Sequence, residues 1–582
     1  MSMHHPALEA GRRRTFAPNL WDALAFGLLF GGLILMVHGG KETLAPLAAL
    51  DLAPVSLDPA MLPEYALRTT MRMLAAIVAS LVFTFAYGAL AAKSRRAEMV
   101  LVPMLDILQS VPVLGFLSFT VVGFMSLFPG RVLGVELAAI FAIFTSQAWN
   151  MTFSFYQSLK TVPRDLDEAT RSFRLSGWQR FWRLEVPFSM PGLVWNTMMS
   201  MSGGWFFVVA SEAISVGDTT ITLPGVGSYV ALAIKEQNLA AVGWAVLAML
   251  AVILLYDQLL FRPLVAWADK FRVETSASGA APRSWLLSAA RRTYLFQRVL
   301  QPLGAMLAAV PRQRLAFSAP VSQDTRRVVE SAWASRWAEG IWLALVFAVA
   351  GYALYVIVAF VATELTLPEV TQVFGLGVLT MVRVIVLIAL ATLIWVPIGV
   401  WIGLRPRWAQ RVQPLAQFLA AFPANIIFPF AVVAIVRLGL DPDIWLSPLM
   451  VLGTQWYILF NVVAGASAFP NDLKEAASTF RIRGWNWWRK VMLPGIFPYY
   501  VTGAITASGG SWNASIVAEV ASWGDTTLRA HGVGAYIADA TAAGDYPRIV
   551  LGVAVMSIFV IFFNRLLWRP MFTFAGRRLR LD

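Results

Sequence analysis

The polar residues best placed to do chemistry in this chain lie inside its apolar runs. In the first half they are Gln109, Ser110, Gln147, Asn150, Asn196, Ser200 and Ser202. In the second half they are Gln417, Asn425, Gln455, Asn461, Ser508, Ser511 and Asn513. If those runs cross a bilayer, each such residue is a functional candidate, because a polar group in hydrocarbon is costly to keep. Neutral amide and hydroxyl donors could line a path for a small hydrated anion. They also supply hydrogen bonds between packed helices, so any one of them fits either role. Two carboxylates, Glu212 and Glu519, cut against an anion if they face such a path. They are therefore expected near the outer membrane surface, with a gating or structural role; in a cavity they would suit a cationic or zwitterionic solute. Arg72 and Arg383 are expected near span ends, which leaves no strong cationic site in mid-membrane.

Other chemistries find little support. The chain has no cysteine, which excludes disulfides, thiolate metal sites and cysteine catalysis. Four histidines, two of them at His4 and His5, give no metal-ligand set. No nucleophile motif and no Gly-x-x-x-x-Gly-Lys-Ser/Thr phosphate loop is present, so ATP hydrolysis by this chain is not expected.

The elements that must carry these residues follow from composition. Of 582 residues, 58% are hydrophobic and only 14% charged, against about 25% charged in ordinary soluble domains. The apolar residues gather into runs such as 20–37, 73–92, 341–361 and 384–404, close to the roughly 20 residues a membrane-crossing helix needs. Six spans are expected in the first half, near 20–38, 65–92, 100–127, 132–159, 190–214 and 239–262. Six more are expected near 338–362, 373–404, 411–438, 443–468, 496–521 and 547–567. The runs at 190–214 and 496–521 are rich in Ser, Gly and Asn, which blurs their limits. The first run follows Arg12–Arg14, is too long for a signal core and lacks a small-residue cleavage site. It is expected to remain as the first span.

The formal net charge of +13 is distributed by topology. Lys and Arg cluster in alternate connections, at 12–14, 93–96, 160–183, 262–336, 405–411, 474–490 and 569–580, while the intervening connections hold Glu42, Asp58, Glu136, Glu364, Asp441 and Asp443. Excess Lys and Arg mark cytoplasmic loops, so both termini are expected in the cytoplasm and no nucleic-acid partner is needed.

The chain also repeats itself. Residues 163–178, Pro-Arg-Asp-Leu-Asp-Glu-Ala-Thr-Arg-Ser-Phe-Arg-Leu-Ser-Gly-Trp, return at 470–485 as Pro-Asn-Asp-Leu-Lys-Glu-Ala-Ala-Ser-Thr-Phe-Arg-Ile-Arg-Gly-Trp. The offset of 307 holds for Trp205 and Trp512, Glu212 and Glu519, and Gly-Asp-Thr-Thr at 217–220 and 524–527. Upstream, Arg72, Pro103 and Pro112 match Arg383, Pro414 and Pro423 at an offset of 311. The basic loops keep their sign, so the halves are parallel repeats about an axis along the membrane normal. The expected fold is an all-α integral membrane protein of about 12 spans. Its parts are a first half at 1–267, a cytoplasmic linker at 268–336 and a second half at 337–582. Within the linker, 285–300 mixes Trp, Leu, Tyr and Phe with three arginines, which fits either a helix on the inner membrane surface or a solvated tether. Small-residue strings at 201–204 and 507–510 are expected to let the central helices approach at the pseudo-symmetry axis.

The repeated loop is the most specific feature. It holds Glu168-Ala169, Gly177 and Pro187, and again Glu475-Ala476-Ala477, Gly484 and Leu493-Pro494. This resembles the Glu-Ala-Ala loop of binding-protein-dependent ABC importer permeases, over about 65–265 and 375–570. The first copy departs at Thr170 and Val186. The resemblance is closest to the nitrate/sulfonate/taurine/bicarbonate branch. It implies a permease that imports a small anion, coupled through Glu168, Ala169, Gly177, Glu475, Ala476, Ala477 and Gly484. It further implies two ATPase subunits that hold ATP and Mg, a periplasmic binding protein as a further partner, and an inner-membrane location. The glutamates are expected early in short helices, where negative charge favours the helix dipole, and the glycines at their ends. A secondary transporter with two parallel six-helix repeats is the alternative; it would have no use for a doubled coupling loop. A membrane enzyme is disfavoured by the absences above.

Overall fold

The computed structural model of the chain describes residues 19–41, 43, 45–47, 54–216, 219–271, 284–293, 295–313, 332–467 and 469–578. Apolar chain in a bilayer has no water to satisfy its backbone, so it closes its hydrogen bonds internally as helices. The first half runs α1 (Leu20–Lys41), α2 (Leu62–Lys93), α3 (Arg95–Ser110), α4 (Val113–Leu127) and α5 (Val132–Lys160). Two short helices, α6 (Arg164–Ser172) and α7 (Gly177–Arg180), lead to α8 (Val186–Glu212). A hairpin of β1 (Ala213–Val216) and β2 (Thr219–Thr222) precedes α9 (Val226–Lys235), α10 (Leu239–Tyr256) and α11 (Arg262–Ala268). The linker forms α12 (Trp285–Arg292) and α13 (Leu295–Ala309).

The second half opens with α14 (Ala332–Ala362), α15 (Leu367–Gly403), α16 (Pro406–Ala421) and α17 (Phe428–Leu438). Then come α18 (Pro442–Trp445), α19 (Leu449–Leu452), α20 (Trp456–Ser467), α21 (Asn471–Thr479) and α22 (Trp485–Trp487). The long α23 (Leu493–Ala518), a hairpin of β3 (Val520–Trp523) and β4 (Thr526–Arg529), α24 (Val533–Ala543), α25 (Tyr546–Phe563) and α26 (Arg569–Arg578) complete it. Even π-helical turns recur in register, at 181–185 and 488–492 and again at 257–261 and 564–568.

The fold is the expected all-α bundle, with two small antiparallel hairpins that the apolar pattern did not announce. The second hairpin turns at Gly524-Asp525; Gly524, at φ +57°, takes a backbone conformation open to glycine. Two expected third spans, 100–127 and 411–438, are instead broken. Pro112 and Pro423 cannot donate into a helix and disfavour helical backbone before them, so α3 ends at Ser110 and α16 at Ala421. The fourth span is continuous in the first half as α5 but bends by 44° between α19 and α20 in the second. Seven helices among the described residues are long and apolar enough to cross a bilayer, or eight if that bent pair is one span. The polar content of α8 and α23 and the proline breaks account for the lower number than twelve.

The halves interlock. α4 packs against α23, α24 and α25 of the second half, and α16 packs against α8 of the first. A Cβ at Gly115 would come within 2.5 Å of Val553, so glycine is what lets α4 approach that closely. The outlying α1 and α14 bury little of themselves and present apolar side chains outward, as lipid-facing helices do.

Candidate functional site

A cavity of about 130 Å³ lies between the halves. Gln109, Asn150 and Asn513 line it, with the hydroxyls of Thr145, Ser146, Thr454, Tyr457 and Thr506 and the rings of Trp149, Phe206, Phe207 and Phe422. Among the described lining residues none is charged. Gln109 donates to the Asn150 side chain at 3.1 Å. The break in each third helix brings its neighbours here: Val113 and Ala424 both line the cavity. Among the described residues no group of three or more His, Asp or Glu side chains is arranged to hold a metal ion.

The other polar candidates point elsewhere. Gln147 is buried with its amide 3.5 Å from the Met201 sulfur. Asn196 donates to Ser154 and to the Gly192 carbonyl. Ser200 is buried without a hydrogen-bond partner for its hydroxyl, and Ser508 is buried in the core of α23. Gln455 accepts from Trp395, Asn461 donates to the Tyr457 carbonyl, and Ser511 pairs with Thr454. The side chains of Ser110, Ser202 and Gln417 lie outside the described residues. The small-residue strings also divide. A Cβ on Gly203 or Gly509 would meet nothing within 4 Å, and both residues line the cavity. Gly204 and Gly510 are the ones at close approach, to Gln147 and Thr454 respectively. The glycines therefore shape the cavity wall as much as they bring helices together. Sequence reasoning missed Thr145, Ser146 and Thr506, which are ordinary in apolar helices and carry no motif.

Glu212 and Glu519 do not line the cavity. Glu212 closes a buried network, and Glu519 a partly buried one, at the end of the bundle opposite the repeated loops. Arg72 donates twice to Glu136 at 2.7 Å, once to Glu212 at 2.7 Å and once to the Pro224 carbonyl at 3.0 Å. Glu212 also accepts from Thr69 and from the Gly227 backbone, both at 2.7 Å. In the second half Arg383 donates to Glu519 at 3.3 Å and to Asp443 at 2.8 Å, while Thr380 and the Ala535 backbone donate to Glu519. A Cβ on Gly225 or Gly532 would overlap the Glu212 or Glu519 carboxylate, which explains glycine at both positions. Glu136 and Asp443 also stand 307 apart, so the offset could have found them.

The repeated loops have matched geometry with different fastenings. Each short helix ends on a left-handed residue, Arg174 at φ +48° and Arg481 at φ +50°. Leu175 and Ile482 then donate back to the carbonyls of Thr170 and Ala477, the six-to-one closure of a Schellman cap. Gly177 and Gly484 therefore do not end these helices: Gly177 opens α7 behind the Ser176 capping box, and Gly484 precedes α22. Glu168 and Glu475 sit at the fifth helical position, beyond the first turn; the acidic residues that meet the helix dipole are Asp165 and Asp167, and Asp472. Glu168, Ala169 and Glu475 are exposed, Ala476 half-buried and Ala477 buried. Phe173 and Phe480 protrude at 77% and 76% exposure. Behind the first loop runs a chain of ion pairs, Lys93–Glu185–Arg180–Asp167–Arg171. At the matching positions the second half has Leu404, Met492, Trp487 and Lys474 in place of Lys93, Glu185, Arg180 and Asp167, and Met492 is fully buried.

Residues 85–262 and again 395–568 match the family model described as binding-protein-dependent transport system inner membrane component. The chain belongs to that family. Relatives of this permease chain include a bicarbonate transport system permease protein of Synechococcus elongatus, 30% identical over 28% of this chain and 56% of its own length. A nitrate import permease of Leptolyngbya laminosa is 26% identical over 32% and 62%. The glycine betaine/proline betaine permease of Escherichia coli is 30% identical over 32% and 50%. The permease chain thus matches little more than half the length of these relatives.

Both matched segments of the permease contain a repeated loop and the cavity-lining part of α8 or α23. The outer helices α1 and α14 and the linker helices α12 and α13 lie outside them.

Proposed function

We propose that this permease chain supplies both halves of the membrane part of an ATP-driven importer, working by alternating access. The observation that carries the reading is the pair of loops: two short helices at one spacing, each thrusting an exposed phenylalanine away from the bundle. A water-exposed phenylalanine matched in both halves fits a docking site for a partner. Two ATPase subunits, holding ATP and Mg, dock on α6 and α21, and a periplasmic binding protein delivers solute to the opposite face. The basic loops and both termini face the cytoplasm of a bacterial inner membrane.

The solute is a small anion of the nitrate, sulfonate or bicarbonate class. The uncharged amide and hydroxyl lining supports this, as does the pairing of Glu212 and Glu519 with arginines, which keeps their charge from the cavity. The bicarbonate and nitrate relatives agree. A zwitterion such as a betaine is the second reading, favoured by Trp149, Phe206, Phe207 and Tyr457 around the cavity, since aromatic faces attract quaternary ammonium.

Reconstitution of the permease with its ATPase in proteoliposomes tests both. ATP-dependent uptake stimulated by nitrate, bicarbonate or an alkyl sulfonate, and not by betaine, is expected. Betaine-only stimulation replaces the anion reading, and uptake without ATPase overturns the importer in favour of a secondary transporter.

A further inference from the structure

The linker between the halves is fastened to the bundle at three points. Trp285 donates from its indole to Gln258, just past the end of α10, at 3.3 Å. At the other end of α12, the Arg292 carbonyl accepts from Asn19 at 2.8 Å, and its guanidinium lies over the Trp21 ring. Asn19 and Trp21 stand at the start of the spanning helix α1, and Gln258 belongs to the apolar span 239–271, so α12 is held against two spanning helices. From there α13 extends 15 residues, about 22 Å at 1.5 Å per residue. Its far end reaches the first repeated loop: Trp178 donates to the Val310 carbonyl at 2.8 Å and Gln179 to the Arg312 carbonyl at 3.1 Å. Trp485, the counterpart of Trp178, stands 72% exposed.

Along α13, Leu295, Val299 and Met306 are all exposed, Met306 at 70%. Spaced by four and seven, they share one helical face. Gln301 and Ala305 fall on the other side. Residues 284–313 include four arginines, Arg291, Arg292, Arg298 and Arg312, and no acidic residue. An exposed apolar stripe in a segment that carries arginines and no acidic residue of its own, held against two spanning helices, is the arrangement of a helix lying in a headgroup layer.

We propose that α12 and α13 form a strap seated on anionic lipid headgroups, tying the membrane surface to the first repeated loop alone. Among the described residues the second loop has no such tie, so lipid composition reaches the two loops unequally, whichever solute the permease moves.

The absence of cysteine makes the test direct. Single variants Val299→Cys, Met306→Cys, Gln301→Cys and Ala305→Cys of the full chain are spin-labelled in nanodiscs of phosphatidylcholine, with or without roughly a third phosphatidylglycerol. Relative accessibility to oxygen and to a polar nickel complex is then measured. In anionic discs, labels at 299 and 306 are expected to favour oxygen and labels at 301 and 305 nickel. Arg291→Gln with Arg298→Gln should shift 299 and 306 toward nickel. Nickel preference at all four positions in both disc types overturns the strap in favour of a solvated tether. Exclusion of both reagents from 299 and 306 means protein covers the stripe, and equal signals in the two disc types mean that anionic headgroups do not hold it; either result overturns the proposal.

Discussion

The side-chain oxygen of Asn513 accepts the backbone N–H of Val113 at 2.8 Å, so the central helix of one half caps the broken third helix of the other. Val113 is the first residue of α4, where a helix leaves its N–H groups without intrahelical partners. The mirror relationship joins Asn425, at the second break, to the carbonyl of Phe206 at 3.3 Å. Phe206 and Asn513 are themselves 307 positions apart. The break, the cavity and the contact between halves are one structure.

Asn513→Leu removes the cap and should cost ~1 kcal/mol, lowering the melting temperature of the purified chain. Asn513→Asp keeps an acceptor for Val113 but brings negative charge to the cavity wall. It should remain closer to wild type in melting while abolishing uptake of an anion; preserved anion uptake would show that Asn513 does not face the solute.

Breaking the buried pairs should be costly and unequal. Arg72→Met leaves Glu136 and Glu212 without their cation, and a buried pair broken from one side costs about 3–5 kcal/mol. Arg383 is 14% exposed against 3% for Arg72, so water compensates more of its loss and Arg383→Met should be milder. Thermal unfolding in detergent of the two variants measures the difference; equal losses would contradict it.

Because Phe173 and Phe480 are so exposed, Phe173→Ala and Phe480→Ala should change stability by less than about 0.5 kcal/mol. ATPase association should nevertheless weaken about tenfold, equivalent to about 1.4 kcal/mol. Ala169→Arg, Ala476→Arg and charge reversal at Glu168 or Glu475 should likewise preserve membrane insertion and reduce uptake, the second loop more than the first. Co-purification of the ATPase with each variant is the measurement, and full ATP-driven uptake with both loops altered would end the docking assignment.

Adjacent glycines should behave oppositely. Gly203→Leu enters open cavity, so uptake should fall with the melting temperature nearly unchanged. Gly204→Leu meets Gln147 and Met73, and overpacking costs typically 1–3 kcal/mol, so it should lower the melting temperature. Comparison of unfolding and uptake for the two variants checks this.

The sequence by itself determined the duplication, the membrane class and the place of the repeated loops. Those properties are written in one-dimensional quantities: the offset of 307, the length of apolar runs and the sign of loop charge. The proline breaks at Pro112 and Pro423 were also legible as residues, although length alone had joined each pair of helices into one span. Which polar side chain faces the cavity was decided only by the tertiary structure. Gln147 and Asn150 lie three residues apart on α5, yet one is buried against methionine sulfurs and the other lines the cavity, because helix rotation is set by packing with neighbours and not by polarity. The pairing of Arg72 with Glu136 and Glu212, the cap that Asn513 gives Val113 and the linker's contact with Trp178 all join residues far apart in the chain. No local pattern encodes such contacts; they arise from the way two folded halves fill the space between them.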